Sequence, residues 1–124
     1  MKDQRPTNID PVSLMAYAFP LPALTSILHR ISGLALFIML PLLLCLLQDS
    51  LASEAKFEAV LNSWLVKLFL WLTLSGLFYH LIAGVKHLVM DMGFGESLEG
   101  AQMGAKVVLA LSGFAALVLG VWVW

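Results

Sequence analysis

The chain has 124 residues, 60% of them hydrophobic and 12% charged, with a formal net charge of −1 and a mean hydropathy of +0.91. That charged fraction is about half of what a soluble domain carries, which excludes an ordinary water-soluble fold; the lack of a basic footprint argues against nucleic acid as a partner. A single cysteine, Cys45, allows no internal disulfide and no Cys-rich metal site, and inside an apolar run it reads as a small hydrophobe.

Taken in chain order, residues 1–20 carry Lys2, Asp3, Arg5 and Asp10 with no compact apolar run before a small-residue cleavage site, and they read as a cytoplasmic segment rather than a signal peptide. Residues 21–124 read as a membrane domain with helices over about 22–48, 60–90 and 104–124. The first apolar stretch, 31–47, is interrupted by Ser32, Gly33 and Pro41, and extends back through the turn that holds Ser26, His29 and Arg30. Pro41 removes one backbone hydrogen bond and predicts a kink. Residues 48–63 hold Asp49, Glu54, Lys56 and Glu58 in a short amphipathic pattern. The second stretch, 64–85, has Lys67 near its start and His80 near its end. Residues 91–106 contain Gly93, Gly95, Gly100 and Gly104 and read as a loop. The third stretch, 107–124, has no charge. Each stretch spans roughly 17–22 residues, close to the thickness of a ~30 Å hydrocarbon core, and none has the polar face of a helix lying on a surface. The fold class is therefore all-α: an integral membrane protein of three transmembrane helices.

Orientation follows from the cations. Lys2, Arg5, Arg30, Lys86 and Lys106 fall on one side, Lys56 and Lys67 on the other. The N-terminus and the second loop are expected in the cytoplasm and the C-terminus outside, with Trp64, Trp122 and Trp124 together in an outer aromatic belt.

Three clusters hold the candidate chemistry. His80 lies six residues before Lys86, roughly 9 Å inside the end of its helix, a depth where an ionisable group faces a partner or a cavity. Gly76 and Gly84, four residues to either side, leave a flat trough around it. A porphyrin approaching edge-on needs such clearance, and histidine is a standard axial ligand to its iron. Glycines on that face also suit close helix packing with His80 hydrogen-bonded across the contact. Ser26, His29 and Arg30 share a face at the start of the first helix. The Ser26 hydroxyl and Arg30 guanidinium could donate hydrogen bonds to a carbonyl or carboxylate, or they could be a helix-start serine beside a positive-inside arginine. Lys86, His87 and Asp91 mark the exit of the second helix. Lys86 could snorkel, and His87 could pair with Asp91 or, seven residues from His80, reach the rim of a ligand held there. The chain shows no metal-ligand triad, nucleophile–base pair or phosphate loop, so it is not expected to catalyse anything alone. One intramembrane histidine supplies one axial ligand, and a six-coordinate haem needs its second from another chain.

The run Ser26-Ile27-Leu28-His29-Arg30-Ile31-Ser32-Gly33 resembles the S-x-x-H-R-x-S-G signature of succinate dehydrogenase cytochrome b membrane-anchor subunits. His80-Leu81-Ile82-Ala83-Gly84-Val85-Lys86-His87-Leu88 resembles the same family's H-x-x-x-G-x-R-H-L signature. Arg5-Pro6 and the short tail fit as well, so the resemblance covers nearly the whole chain. It implies half of a heterodimeric helix bundle in a bacterial inner membrane. It further implies that His80 is an axial ligand to the iron of haem b, the other ligand coming from a second membrane-anchor subunit. His29 and Arg30 would lie near the haem propionates, with His87 at the rim, and Ser26, Ile27 and Arg30 would be this chain's share of a ubiquinone site. The remaining partners implied are an iron–sulfur subunit, a flavoprotein subunit and membrane lipid, the whole passing electrons from succinate to quinone. Two departures stand out. Lys86 replaces the usual arginine and cannot make the same bidentate contact, and the run after Arg5-Pro6 lacks the Ser-Pro-His found in many relatives. A fumarate reductase anchor, and a cofactor-free scaffold or small transport subunit, remain the rival readings.

Overall fold

The computed structural model describes residues 19–124, so the N-terminal expectations, Arg5-Pro6 included, lie outside the described residues. Among the described residues, four helices and no strands follow in order: α1 Leu21–Ser50, α2 Glu54–Asn62, α3 Trp64–Asp91 and α4 Leu98–Val123. Local chemistry sets their ends. Pro22 stands in the first turn of α1, where its missing N–H is no loss, and the helix runs unbroken through Pro41. Ser53 caps α2 by accepting from the Lys56 amide at 3.2 Å, and Glu54 complements the helix dipole there. Ser97 caps α4 in the same way, accepting from the Gly100 amide at 3.1 Å.

α1, α3 and α4 are each long and apolar enough to cross a membrane, at 30, 28 and 26 residues with window hydropathies of 2.3, 1.7 and 2.1. The expectation of a loop over 91–106 is corrected: the turn is confined to 92–97, and α4 begins at Leu98. The glycines divide into two jobs. Gly93 and Gly95 take φ of +87° and +73°, left-handed values that favour glycine. Gly100 and Gly104 are helical and small for packing. A Cβ on Gly100 would stand 2.9 Å from the Gly95 backbone, so the turn can fold directly onto the helix start.

α3 is the central helix. It packs against α4 most extensively and against α1 on another side, while α1 and α4 also touch. The side chains buried in these seams are small: Ala83, Ala105, Val108, Thr25 and Thr73. Small residues let helix backbones approach closely, which is what favours association where lipid is as apolar as protein. Hydrogen bonds tie the seams. The Tyr79 hydroxyl donates to the Thr25 carbonyl at 2.8 Å, and the Trp71 indole N–H donates to the Ala116 carbonyl at 2.9 Å. Large apolar side chains face outward, Phe37 at 75%, Leu117 at 72% and Val121 at 86% exposure, an arrangement that lipid or another helix tolerates and water does not. Trp124 packs edge-on against Trp71, with ring centroids 6.3 Å apart. Trp71 lies two turns, about 10 Å, along α3 from Trp64.

Candidate functional site

Where α1 begins and α3 ends, the two helices bound an open groove of about 630 Å³. α1 contributes Ser26, His29 and Arg30; α3 contributes His80, His87 and Asp91, with Gly84 and Val85 between them. These positions recur at three, four and seven residues, so helical geometry alone stacks them along facing stripes. The groove thus gathers every expected site residue except Ile27, which is 40% exposed and does not line it. Arg30 is exposed and makes no ion pair or hydrogen bond among the described residues.

His80 is fixed through one nitrogen. Its Nδ1 lies 3.0 Å from the His29 carbonyl oxygen and 3.0 Å from the Ser32 hydroxyl, while that hydroxyl donates to the same carbonyl at 2.8 Å. A carbonyl only accepts, so Nδ1 carries the proton and donates to both oxygens. With the proton on Nδ1, Nε2 is the lone-pair nitrogen of the uncharged tautomer, and it has no hydrogen-bond partner among the described residues. The two readings of His80, helix packing and ligand, are therefore compatible: one nitrogen serves the helix contact and leaves the other free. A ligating histidine whose other N–H is held by a carbonyl is the arrangement that sets tautomer and ring orientation at metal sites.

The expected bare trough around His80 is corrected. On the Gly76 side a Cβ would meet nothing within 4 Å, so that side is open. On the Gly84 side the space holds His29, whose Nε2 stands 3.3 Å from where a Gly84 Cβ would be. The His29 ring stacks on His80 with centroids 4.1 Å apart and 13° between planes, and meets the His87 ring at 5.3 Å and 50°. His87 and Asp91 both line the groove but form no ion pair among the described residues. Lys86 leaves the groove altogether. Its aliphatic stem lies against α4, with Cε 3.3 Å from the Cβ position of Gly104.

Sequence reasoning missed Ser32 and Gly33 as parts of the site. Both stand in the first signature, but their partner lies 48 residues away and no local spacing points to it. A Cβ on Gly33 would be 2.8 Å from His80 Cε1, so this glycine, more than Gly76 or Gly84, makes room for the imidazole. Among the described residues no three His, Cys, Asp or Glu side chains come together as a metal site.

Comparison with known proteins identifies the family. Residues 1–119 match the family described as succinate dehydrogenase/fumarate reductase transmembrane subunit. The succinate dehydrogenase cytochrome b556 subunit of Coxiella burnetii is 40% identical, with all of both chains covered. That of Paracoccus denitrificans is 36% identical over 78% of this chain and 77% of its own. That of Rickettsia felis is 30% identical over 89% and 86%. With three apolar helices, both signatures, a family model over residues 1–119 and one relative matched over its full length, this chain belongs to the succinate dehydrogenase cytochrome b membrane-anchor subunits, a multi-pass membrane family.

Proposed function

We propose that this chain binds haem b through His80 and forms part of a ubiquinone site with Ser26 and Arg30. It does so as one of two membrane anchors that carry electrons from succinate to quinone. The observation that carries the reading is the free, oriented Nε2 of His80 in a groove that also holds Ser26 and Arg30. The imidazole of His80 would hold the haem iron through Nε2, and a second anchor subunit would supply the other ligand. When bound, haem supplies one-electron transfer.

The rest is the work of this chain's own side chains. The Nδ1–H bonds of His80 hold its ring against α1, so Nε2 keeps one direction. Arg30 and the imidazoles of His29 and His87 stand on the same rim, where they suit the anionic propionates of the macrocycle. Ser26 and Arg30 lie at the end of the groove where α1 begins, and both can donate hydrogen bonds to a quinone carbonyl. Such donors stabilise the charge that grows on oxygen as electrons arrive. Ile27, beside the groove, contributes apolar surface to a pocket completed by the iron–sulfur subunit and the second anchor. The flavoprotein subunit oxidises succinate. In a bacterial inner membrane with the N-terminus cytoplasmic, this end of the bundle draws its protons from the cytoplasm.

The test is a reduced-minus-oxidised absorption spectrum of the purified complex. A bis-histidine b-type signal is expected in the native complex and is expected to vanish in His80→Ala. A well-assembled native complex without haem overturns the reading. For the quinone site, Arg30→Leu should lower quinone reduction tenfold or more, since a charged hydrogen bond contributes about 1.5–3 kcal/mol. Succinate oxidation by an artificial acceptor should persist, and equal loss of both activities removes Arg30 from the site.

A further inference from the structure

We infer that Ser32 and Gly33 are positioning residues for His80, one tuning the ligand nitrogen through the shared Nδ1 proton and the other admitting the ring. This inference rests on the haem reading above and names residues that reading does not need.

Ser32 sits between two groups that must both be satisfied. Its hydroxyl donates to the His29 carbonyl at 2.8 Å and accepts from His80 Nδ1–H at 3.0 Å, closing a triangle with the 3.0 Å bond from Nδ1 to that carbonyl. Two acceptors on one N–H do two things. They resist rotation of the ring about its Cβ–Cγ bond. They also draw the proton outward, which raises the basicity of the opposite nitrogen. A more basic Nε2 favours the ferric over the ferrous state of an iron it ligates, so Ser32 lowers the potential of any haem held there. Gly33 acts through space. A Cβ would stand 2.8 Å from Cε1 of His80, closer than van der Waals contact allows, and would touch Nδ1 at 3.4 Å. The His29 ring is already stacked on the imidazole at 4.1 Å, so the ring has little room to give.

The experiment is a redox titration of haem in the purified complex of His80→Ala, Ser32→Ala, Ser32→Thr and Gly33→Ala, with subunit composition and haem content measured alongside. In Ser32→Ala the His29 carbonyl remains as the only acceptor. Losing one hydrogen bond of ordinary strength should raise the ferrous-to-ferric ratio at fixed ambient potential about threefold to tenfold. At 59 mV per decade for one electron, that is a rise of about 30–60 mV. Ser32→Thr keeps the oxygen and should restore the native ratio. Gly33→Ala should lower haem content, or alter the low-spin resonance spectrum, in a complex whose subunits still co-purify. A Ser32→Ala complex that titrates like the native one, or a Thr variant no closer to native than Ala, overturns the role of Ser32. Native haem content and resonance spectrum in Gly33→Ala overturn that of Gly33. A b-type signal that survives His80→Ala instead overturns the haem reading itself, a result none of the Ser32 or Gly33 outcomes can mimic.

Discussion

Along the seam between α3 and α4, the indole of Trp71 bonds to the Ala116 carbonyl, and Ala105 and Val108 are 0% and 1% exposed. Along the seam between α1 and α3, Thr25 is 1% exposed, yet within two turns the helices part to form the histidine groove. Both seams are built of small residues. In the first, the missing volume is filled by the neighbouring helix, so a Cβ on Gly120 would stand 3.4 Å from the Trp71 indole nitrogen and Gly104 receives the stem of Lys86. In the second, Gly33 is filled by an imidazole and Gly84 by another. Small residues at a membrane helix contact therefore have two meanings, and what separates them is whether an imidazole facing the groove occupies the space. The α3–α4 seam packs helix on helix, while the α1–α3 seam packs and also turns imidazoles toward an open groove.

That difference can be broken at its strongest point. Ala105→Leu inserts three carbons into a position with no exposed surface, and overpacking of this kind destabilises by about 1–3 kcal/mol. The thermal unfolding midpoint of the purified complex should fall, while any haem spectrum in the surviving fraction keeps the native band positions. A shifted band would mean that the two seams are mechanically coupled. A smaller effect is expected from Trp71→Phe. It removes one interhelical hydrogen bond, and such bonds in membrane helices contribute about 0.6 kcal/mol. The Ala116 carbonyl keeps its helical partner, so nothing is orphaned. A loss well above 1 kcal/mol in chemical denaturation would show that the edge-on contact with Trp124 carries part of the stability.

The sequence made the spans legible because lipid imposes one strict demand, about twenty apolar residues per crossing, and each of α1, α3 and α4 meets it visibly. His80 was legible for the converse reason, as an ionisable group inside an apolar helix. The start of α4 was not. Gly100 and Gly104 read as loop residues by composition, whereas their smallness serves a helix folded back against Gly95 and against Lys86. Nor was the cradle of His80 legible. Hydropathy and spacing report on one helix at a time, and the contact of Ser32 with His80 exists only once α1 and α3 pack. The stacking of His29 on His80 was hidden for the same reason, so the trough read from Gly76 and Gly84 was half right: Gly84 is covered and Gly76 is open.

The smallest expected effect tests the boundary between the two seams at Lys86, the position where this chain departs from the arginine of its family's second signature. If arginine there clamped a ligand in the groove, a lysine would be a defect that Lys86→Arg repairs. The geometry argues otherwise. Lys86 is six residues from His80, two-thirds of a turn past a whole number of helical turns, and its stem runs along Gly104 of α4 rather than into the groove. A longer head group on that stem still ends beside α4, where surface-like changes alter stability by less than about 0.5 kcal/mol. Haem content, haem potential and quinone reduction should therefore match the native complex within error, whereas Arg30→Leu should not. A clear gain in any of the three on Lys86→Arg would show that the side chain swings across the seam, and that the family's arginine acts on the groove after all.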